Sequence, residues 1–265
     1  MYIGFELKSL TEKSFKSLEK YFQIGNQVFK NSRIEIKKTL DTFINEDGSI
    51  DGDKMQSYWF PKINADIFLS HSHKDEKLII AFAGWLKDTF NLDVFIDSCI
   101  WGYSNDLQKI IDNKYNKIGD NLYKHQKVLY ASSHVNMMLN SALMQMIDNC
   151  ECIMFINTPN SVKTEEVIDK IVSPWIYSEL GMSKLIKKKS INEHRIQELH
   201  ESTQVFSDFT MEYKLDTEHL IPIDIDDLNN WEKKYSDIKT TNVFLENSYE
   251  KKSNALNALY ELKEN

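Results

Sequence analysis

Residues 66–76 read D-I-F-L-S-H-S-H-K-D-E and residues 92–97 read L-D-V-F-I-D, and these two stretches decide the fold. Each begins with a short apolar run, which is typical of a buried strand, and polar residues follow. Between them, apolar residues recur from Leu78 to Phe90 at the spacing of an amphipathic helix. This strand–helix–strand order predicts two parallel strands joined by a right-handed crossover.

The rest of the chain continues the alternation of strands and helices. We expect a long loop over residues 116–130 and another over 161–172. The apolar patterns predict three more strands, at 150–157, 204–209 and 220–225. They also predict four helices, at 135–147, 174–188, 226–235 and 248–263, and a short helix is expected at 106–115. This order predicts an α/β fold with a doubly wound parallel sheet, flavodoxin-like in outline.

Three segments follow from these patterns. Apolar residues from Phe15 to Phe29 recur with helical spacing, and a second helix is expected over residues 32–43. We therefore predict a small N-terminal helical appendage at residues 1–62. The α/β domain is predicted to span residues 63–240, and residues 241–265 form a C-terminal helix packed on it.

The composition narrows the class of protein. The chain has 265 residues and a formal net charge of −8, which gives no electrostatic reason to bind nucleic acid. No window approaches the roughly 20 apolar residues of a membrane helix, and no signal peptide is evident. Three cysteines, an odd and sparse count, favour a reducing, cytoplasmic setting. Glycine-rich phosphate loops are absent from the sequence.

The stretch S-P-W-I-Y-S-E-L at residues 173–180 is the first candidate for a site. Ser173 is suited to cap a helix that begins with Pro174. Trp175 and Glu179 then lie one turn apart on one helix face. Such a pair is typical of a ligand site, but it is equally a common way to cover a core, and spacing alone leaves both interpretations open.

Ligands of open parallel sheets bind beyond the carboxyl ends of the strands. The predicted strands bring three groups there: residues 70–73 (Ser70, His71, Ser72 and His73), residues 97–101 with Asp97 and Trp101, and residues 157–179. His71 and His73 lie two apart on a loop, which is not a zinc-site spacing, and no metal site is predicted. Ser133 and His134 are expected at the start of a helix, where free N–H groups hold an anion.

The stretches at residues 66–76, 92–97 and 173–180 occur in this order with helices between them. Together they resemble a TIR (Toll/interleukin-1 receptor) domain over residues 64–225, most closely the bacterial type associated with antiphage defence. The resemblance implies cleavage of NAD at the nicotinamide–ribose bond, with Glu179 as the essential carboxylate. It also implies a nicotinamide and ribose pocket at His71, Ser72 and His73, with Trp175 against the ribose or the leaving ring. NAD is then a substrate, no cofactor is needed, and a homo-oligomer and a separate effector protein are the expected partners.

Two alternatives stay open. A non-catalytic TIR adaptor acts by self-association, with Trp175 in the core and Glu179 as a surface carboxylate. A nucleoside deoxyribosyltransferase shares the outline of the fold and attacks a ribosyl carbon with a glutamate. The product of NAD cleavage is also open, because ADP-ribose, a cyclic isomer and a conjugate begin with the same bond cleavage.

Overall fold

A computed structural model describes residues 1–32, 40–47, 49–101, 104–165, 168–171, 173–186, 188–191, 213–214, 216–241 and 248–263. At its centre is a five-stranded sheet in which all strands are parallel. The strands are β1 (Ile3–Lys8), β2 (Ile67–Ser70), β3 (Val94–Phe95), β6 (Cys152–Asn157) and β10 (Ile221–Ile223), in the spatial order β10-β1-β6-β2-β3. The predicted strands at 66–70, 92–96, 150–157 and 220–225 are confirmed, whereas the one at 204–209 lies outside the described residues.

Helices flank this sheet. They are α1 (Leu18–Ser32), α2 (Gly52–Trp59), α3 (Glu76–Phe90), α4 (Asp97–Ile100), α5 (Ser104–Ile111), α6 (His125–Asn149), α7 (Pro174–Leu185), α8 (Ile225–Thr241) and α9 (Ser248–Tyr260). Small hairpins also occur: β4 (Lys117–Gly119) pairs with β5 (Leu122–Tyr123), and β7 (Val162–Glu165) pairs with β8 (Ile168–Ile171), which also pairs with β9 (Tyr213–Lys214). Across the described ranges, the helices lack the combination of length and apolarity that crossing a bilayer requires.

The N-terminal strand corrects the expectation of a purely helical appendage at residues 1–62. Strand β1 lies inside the sheet, between β6 and β10, with Phe5 and Leu7 fully buried. Strands β3, β2 and β6 lie side by side in the order of the first three positions of a flavodoxin-like sheet. The N-terminal strand β1 takes the fourth position, next to β6. Gly4, Glu6 and Lys8 alternate with the apolar residues of this six-residue strand, so it lacks the continuous apolar run that predicts the other buried strands.

Helix α1 is confirmed, but it is also part of the main body. It packs against α3 at a pair of glycines. A Cβ atom added to Gly25 would lie 2.1 Å from the Ile80 carbonyl oxygen, and one added to Gly84 would lie 1.9 Å from the Tyr21 carbonyl oxygen. The two backbones therefore approach so closely that only glycine fits at these two positions.

Both predicted loops are wrong in part. Residues 117–123 form the β4–β5 hairpin, and α6 begins at His125, ten residues before the expected start. In the second range, Val162–Glu165 and Ile168–Ile171 pair as the antiparallel strands β7 and β8. The first turns of α6 are largely exposed, and their apolar residues form one consecutive run at 128–131, so they show no helical spacing by which the sequence could reveal them.

The last two helices, α8 and α9, pack against each other, and α9 contacts the amino ends of β2 and β3. Trp231 of α8 stacks on Phe90 at 4.0 Å between ring centroids, and its indole N–H donates to the Ala255 carbonyl of α9 at 2.7 Å. Lys252 of α9 pairs with Asp66 at 2.8 Å and with Asp93. These contacts lie at the amino ends of β2 and β3, and they leave the opposite, carboxyl edge of the sheet for a site.

Candidate functional site

The helix that carries Glu179 begins where the sequence predicted. Ser173 has extended backbone angles, and its hydroxyl accepts a hydrogen bond from the Ile176 N–H at 3.4 Å. Pro174 is the first residue of α7, where a missing N–H costs nothing. This start turns Ile176, Glu179 and Leu180 into the protein, where all three are buried.

Glu179 is a buried carboxyl group at the carboxyl end of strand β2. Only 4% of the residue is exposed, and its Oε2 accepts a hydrogen bond of 2.6 Å from the hydroxyl of Ser70. Ser70 is the last residue of β2 and is fully buried. Helix α7 is thereby attached to the sheet edge through the side chain that the sequence singled out.

Burial and a neighbouring charge make Glu179 an unusual acid. Removal from water raises the pKa of the Glu179 carboxyl well above its ordinary value, because the charged form loses its hydration. The carboxylate of Asp97 raises this pKa further, and the hydrogen bond from Ser70 opposes both effects. Asp97 is the first residue of α4, just after β3, so two adjacent strands bring these groups together.

His71 contributes a second buried polar group. Its Nδ1 lies 3.4 Å from the Leu69 carbonyl oxygen, and its buried Nε2 has no hydrogen-bond partner within the described part of the chain. Burial lowers the pKa of the His71 imidazole, an effect that the Asp97 carboxylate partly opposes. The ring of His73 meets that of His71 edge-on at 5.7 Å. His71 is therefore a neutral imidazole that offers one nitrogen to a ligand.

Ser72 and Asp75 shape the loop that follows β2. Ser72 accepts a hydrogen bond from the Lys74 N–H at 3.4 Å and caps a short 3-10 turn at His73–Asp75. Asp75 accepts from Thr158 at 2.5 Å and from Asn160 at 2.6 Å. The loop after β2 is thus joined to the loop after β6. The structure gives Ser72 a structural contact, and Asp75 is a residue that the sequence did not single out.

Trp101 is not part of this site, contrary to the prediction. It is 4% exposed, and its ring packs edge-on against Phe95 at 4.7 Å and Phe60 at 5.6 Å. Its indole N–H donates to the Pro61 carbonyl at 3.0 Å. The short helix α4 turns the indole inward, so Trp101 covers the core next to β3.

Ser133 and His134 are also placed differently. They lie in the third turn of α6 rather than at its start, so their N–H groups are not the free ones of a helix terminus. Ser133 donates to the Leu129 carbonyl of its own helix at 2.9 Å, and the ring of His134 packs against Tyr130 at 4.5 Å. The anion site predicted here is therefore wrong, because the helix extends further towards the N-terminus than its apolar pattern indicated.

Trp175 is partly buried and packs against the hydrophobic core from the first turn of α7. The side chain that shares its helix face, Glu179, is buried. The burial of Glu179 differs from the non-catalytic adaptor hypothesis, which predicts that Glu179 is a surface carboxylate. The contacts of Trp175 with the core support its structural interpretation, and a role against a ribose ring stays a prediction.

A second buried carboxylate at the same edge was missed. Glu6 of β1 is 5% exposed, and it accepts hydrogen bonds from Asn157 at 2.7 Å and Thr217 at 3.3 Å. Glu6 and Ser70 are both in register with Phe155 of β6, so they lie on one face, two strand spacings or about 10 Å apart. The sequence alone does not predict this site, because Glu6 reaches the edge only through the pairing of β1 with β6, more than a hundred residues further along the chain.

Comparisons with known proteins add no family to this picture. Neither a scan against protein-family models, nor a search of curated proteins, nor a search of solved structures found a match. In the ranges that the structure describes, no three His, Cys, Asp or Glu side chains are grouped to hold a metal ion. What the fold and the site define is an α/β protein with a buried glutamic acid at the carboxyl edge of an all-parallel sheet.

Proposed function

We propose that this protein is a TIR-like enzyme that cleaves NAD at the nicotinamide–ribose bond, with Glu179 as the catalytic carboxylate. The observation that carries the proposal is the hydrogen bond from Ser70 to the buried Glu179 at the carboxyl end of β2. Ligands of parallel sheets bind at this edge. A costly buried acid at that place is a strong candidate for a functional group.

The charge state of Glu179 suits this chemistry. The raised pKa of Glu179 favours its protonated form before substrate binds. The nicotinamide ring of NAD carries a positive charge, and a cation beside Glu179 favours the ionised form, so the carboxyl releases its proton to water as NAD binds. As the bond between the ribose carbon and the ring nitrogen breaks, its electron pair goes to the nitrogen and positive charge develops on the ribose. The fixed carboxylate then stabilises this charge more strongly than water does.

The neighbouring residues are assigned supporting roles. His71 is assigned a hydrogen bond from its Nε2 to a ribose hydroxyl or the nicotinamide amide, which is supported by the lack of a partner for this nitrogen among the described residues. The charge of Asp97 raises the pKa of Glu179. His73, whose ring contacts that of His71, is the exposed member of the two histidines. Nicotinamide leaves as a neutral molecule, and water or another hydroxyl adds to the ribose carbon and loses its proton. The product is proposed to act as an ADP-ribose-derived signal for a separate effector in bacterial antiphage defence, made by a cytoplasmic homo-oligomer.

The experiment is to incubate the protein with NAD and follow nicotinamide release by chromatography. It is run alone, with a crowding agent and with phage lysate. We expect Glu179→Gln to abolish release while circular dichroism and thermal unfolding show a folded protein. Glu12→Gln, a change at an exposed residue, is the matched control and should keep the activity. Absence of release from the unaltered chain in all three conditions would overturn the proposal.

A second candidate is favoured by the same burial of Glu179. A glutamate in a dry site is also suited to attack a deoxyribosyl carbon directly, as in a nucleoside deoxyribosyltransferase. That activity predicts exchange of the base between a deoxynucleoside and a free base, with no response to NAD. Running both assays on the same preparation separates the two reactions, and Glu179→Gln should abolish whichever is present.

A further inference from the structure

A second concave site lies on the outer side of α6, away from Glu179. It is a cavity of about 640 Å³ between α2, the end of α5 and α6. This volume falls in the range of about 300–1,000 Å³ that is usual for small-molecule sites. Neither Ser70, His71, Asp97 nor Glu179 lines it. The cavity and the Glu179 site are therefore lined by different residues.

The deeper wall of the cavity is apolar and adaptable. Met55 of α2 is almost fully buried, Ile111 ends α5, and Met137 and Met138 project from α6. Unbranched methionine side chains adjust to the shape of a flat ligand at little cost. This wall is suited to the face of a planar ring.

Aromatic side chains line the same cavity. Tyr130 is 70% exposed although it is a large aromatic residue, and the ring of His134 meets it edge-on at 4.5 Å. Tyr115, on another element, is 38% exposed. An exposed tyrosine at a cavity wall supplies a stacking platform, and stacking is the contact that heteroaromatic bases use.

A distortion of the backbone adds a fixed hydrogen-bond acceptor. Residues Asp112–Asn116 form a π-helical turn, a feature found frequently at functional sites. This turn ends at Asn116, whose side chain is 4% exposed and lines the cavity. Its amide group donates to Asp112 at 2.6 Å and to the Lys127 carbonyl at 3.2 Å. Both amide hydrogens are thereby used, so the side-chain oxygen is what Asn116 can offer to a ligand.

Polar and charged groups complete the lining. Gln56 of α2 donates to Ser141 of α6 at 3.5 Å, so a hydroxyl and an amide from facing helices meet at the wall. Asp53 supplies an acceptor on the α2 side, and Lys127 supplies a positive charge near the start of α6. Acceptors suit the N–H groups of a base, and the lysine suits a phosphate.

We propose that this cavity binds a purine nucleoside monophosphate. The base lies between the methionine wall and Tyr130, the exocyclic or ring N–H groups donate to Asn116 and Asp53, and the phosphate pairs with Lys127. Flat shape, donor-rich edges and one anionic end are the three properties that the walls select for.

The test is isothermal titration calorimetry of the full chain with adenosine monophosphate and with guanosine monophosphate. We expect at least one of them to bind. Tyr130→Ala should weaken that binding about tenfold, the usual scale for one stacked base. Leu129→Ala is the matched control, because Leu129 is 54% exposed on the same helix and does not line the cavity. Lys127→Ala should weaken the nucleotide but leave the free nucleoside unchanged.

Three outcomes would overturn the proposal. The first is no heat of binding with either nucleotide at millimolar concentration. The second is equal weakening by Tyr130→Ala and Leu129→Ala. The third is loss of binding in Glu179→Gln with no effect of Tyr130→Ala, which would assign the nucleotide to the Glu179 site. Because binding is measured without NAD turnover, failure of the enzymatic proposal leaves this test intact.

Discussion

Ser70 and Glu179 are 109 positions apart in the chain, and a 2.6 Å hydrogen bond joins the hydroxyl of the first to the carboxyl of the second. Ser70 ends strand β2, and Glu179 lies in helix α7, whose first residue, Pro174, is 104 positions after Ser70. Both are buried, so neither group can exchange its partner for water. This contact therefore links the position of α7 to the state of the acid.

Replacing Ser70 by alanine should destabilise the protein. The change leaves a buried carboxyl group without its donor, which costs about 1–3 kcal/mol of unfolding free energy. Urea denaturation followed by circular dichroism measures the loss. Ser133→Ala is the control, because Ser133 is exposed and bonds only within its own helix. Equal effects of the two changes would contradict a specific role for the Ser70 contact.

Glu179→Gln should stabilise the folded protein as the pH rises. The folded carboxyl has a pKa well above the ordinary 4.5, so the folded state keeps its proton where the unfolded state has lost it. Stability of the unaltered protein therefore falls as the pH rises from about 4.5 towards the folded pKa, by up to about 1.4 kcal/mol per pH unit. The glutamine variant has no such proton to lose.

Denaturation of both proteins between pH 4 and pH 8 measures this difference. The unfolding free energies of the unaltered protein and of Glu179→Gln should be most similar near pH 4 and should separate as the pH rises. Glu12→Gln, a change at an exposed position, is the control for replacing a carboxyl group by an amide. A constant difference across the range would mean that Glu179 titrates like an ordinary carboxyl.

Asp97→Asn should lower the pKa of Glu179. The negative charge of Asp97 is one of the two causes that raise this pKa, and the amide removes the charge while keeping the shape. Titration of carbon-13-labelled glutamate by NMR reports the pKa directly. Asp106→Asn, on the exposed face of α5, should leave the Glu179 signal unmoved. A Glu179 pKa that does not respond to Asp97→Asn would assign the shift to burial alone.

Gly84→Ala should destabilise the packing of α1 on α3. The added methyl group would lie 1.9 Å from a backbone oxygen of Tyr21, so the helices must separate, at a cost of about 1–3 kcal/mol. Gly181→Ala is the opposite case, because nothing lies within 4 Å of the new methyl group in α7. There the change should stabilise by about 0.5–1 kcal/mol. Thermal unfolding of the two variants should therefore shift in opposite directions.

Local sequence patterns were sufficient for several parts of the structure. The apolar runs at 66–70 and 150–157 predicted strands β2 and β6, because a short buried strand needs little beyond its own side chains. Ser173 and Pro174 predicted the start of α7, since capping depends on residues adjacent in sequence. The strand–helix order predicted the parallel sheet. The pairing of Trp175 with Glu179 on one helix face was likewise readable.

Only the tertiary structure decided what those elements do. Strand β1 joins the centre of the sheet through pairing with β6 and β10, which lie more than a hundred residues away in sequence. The burial of Glu179, its bond to Ser70 and the charge of Asp97 depend on three segments meeting at one edge. Trp101 faces the core for the same reason. Contacts between distant segments leave no local period, so a sequence determines such a site without displaying it.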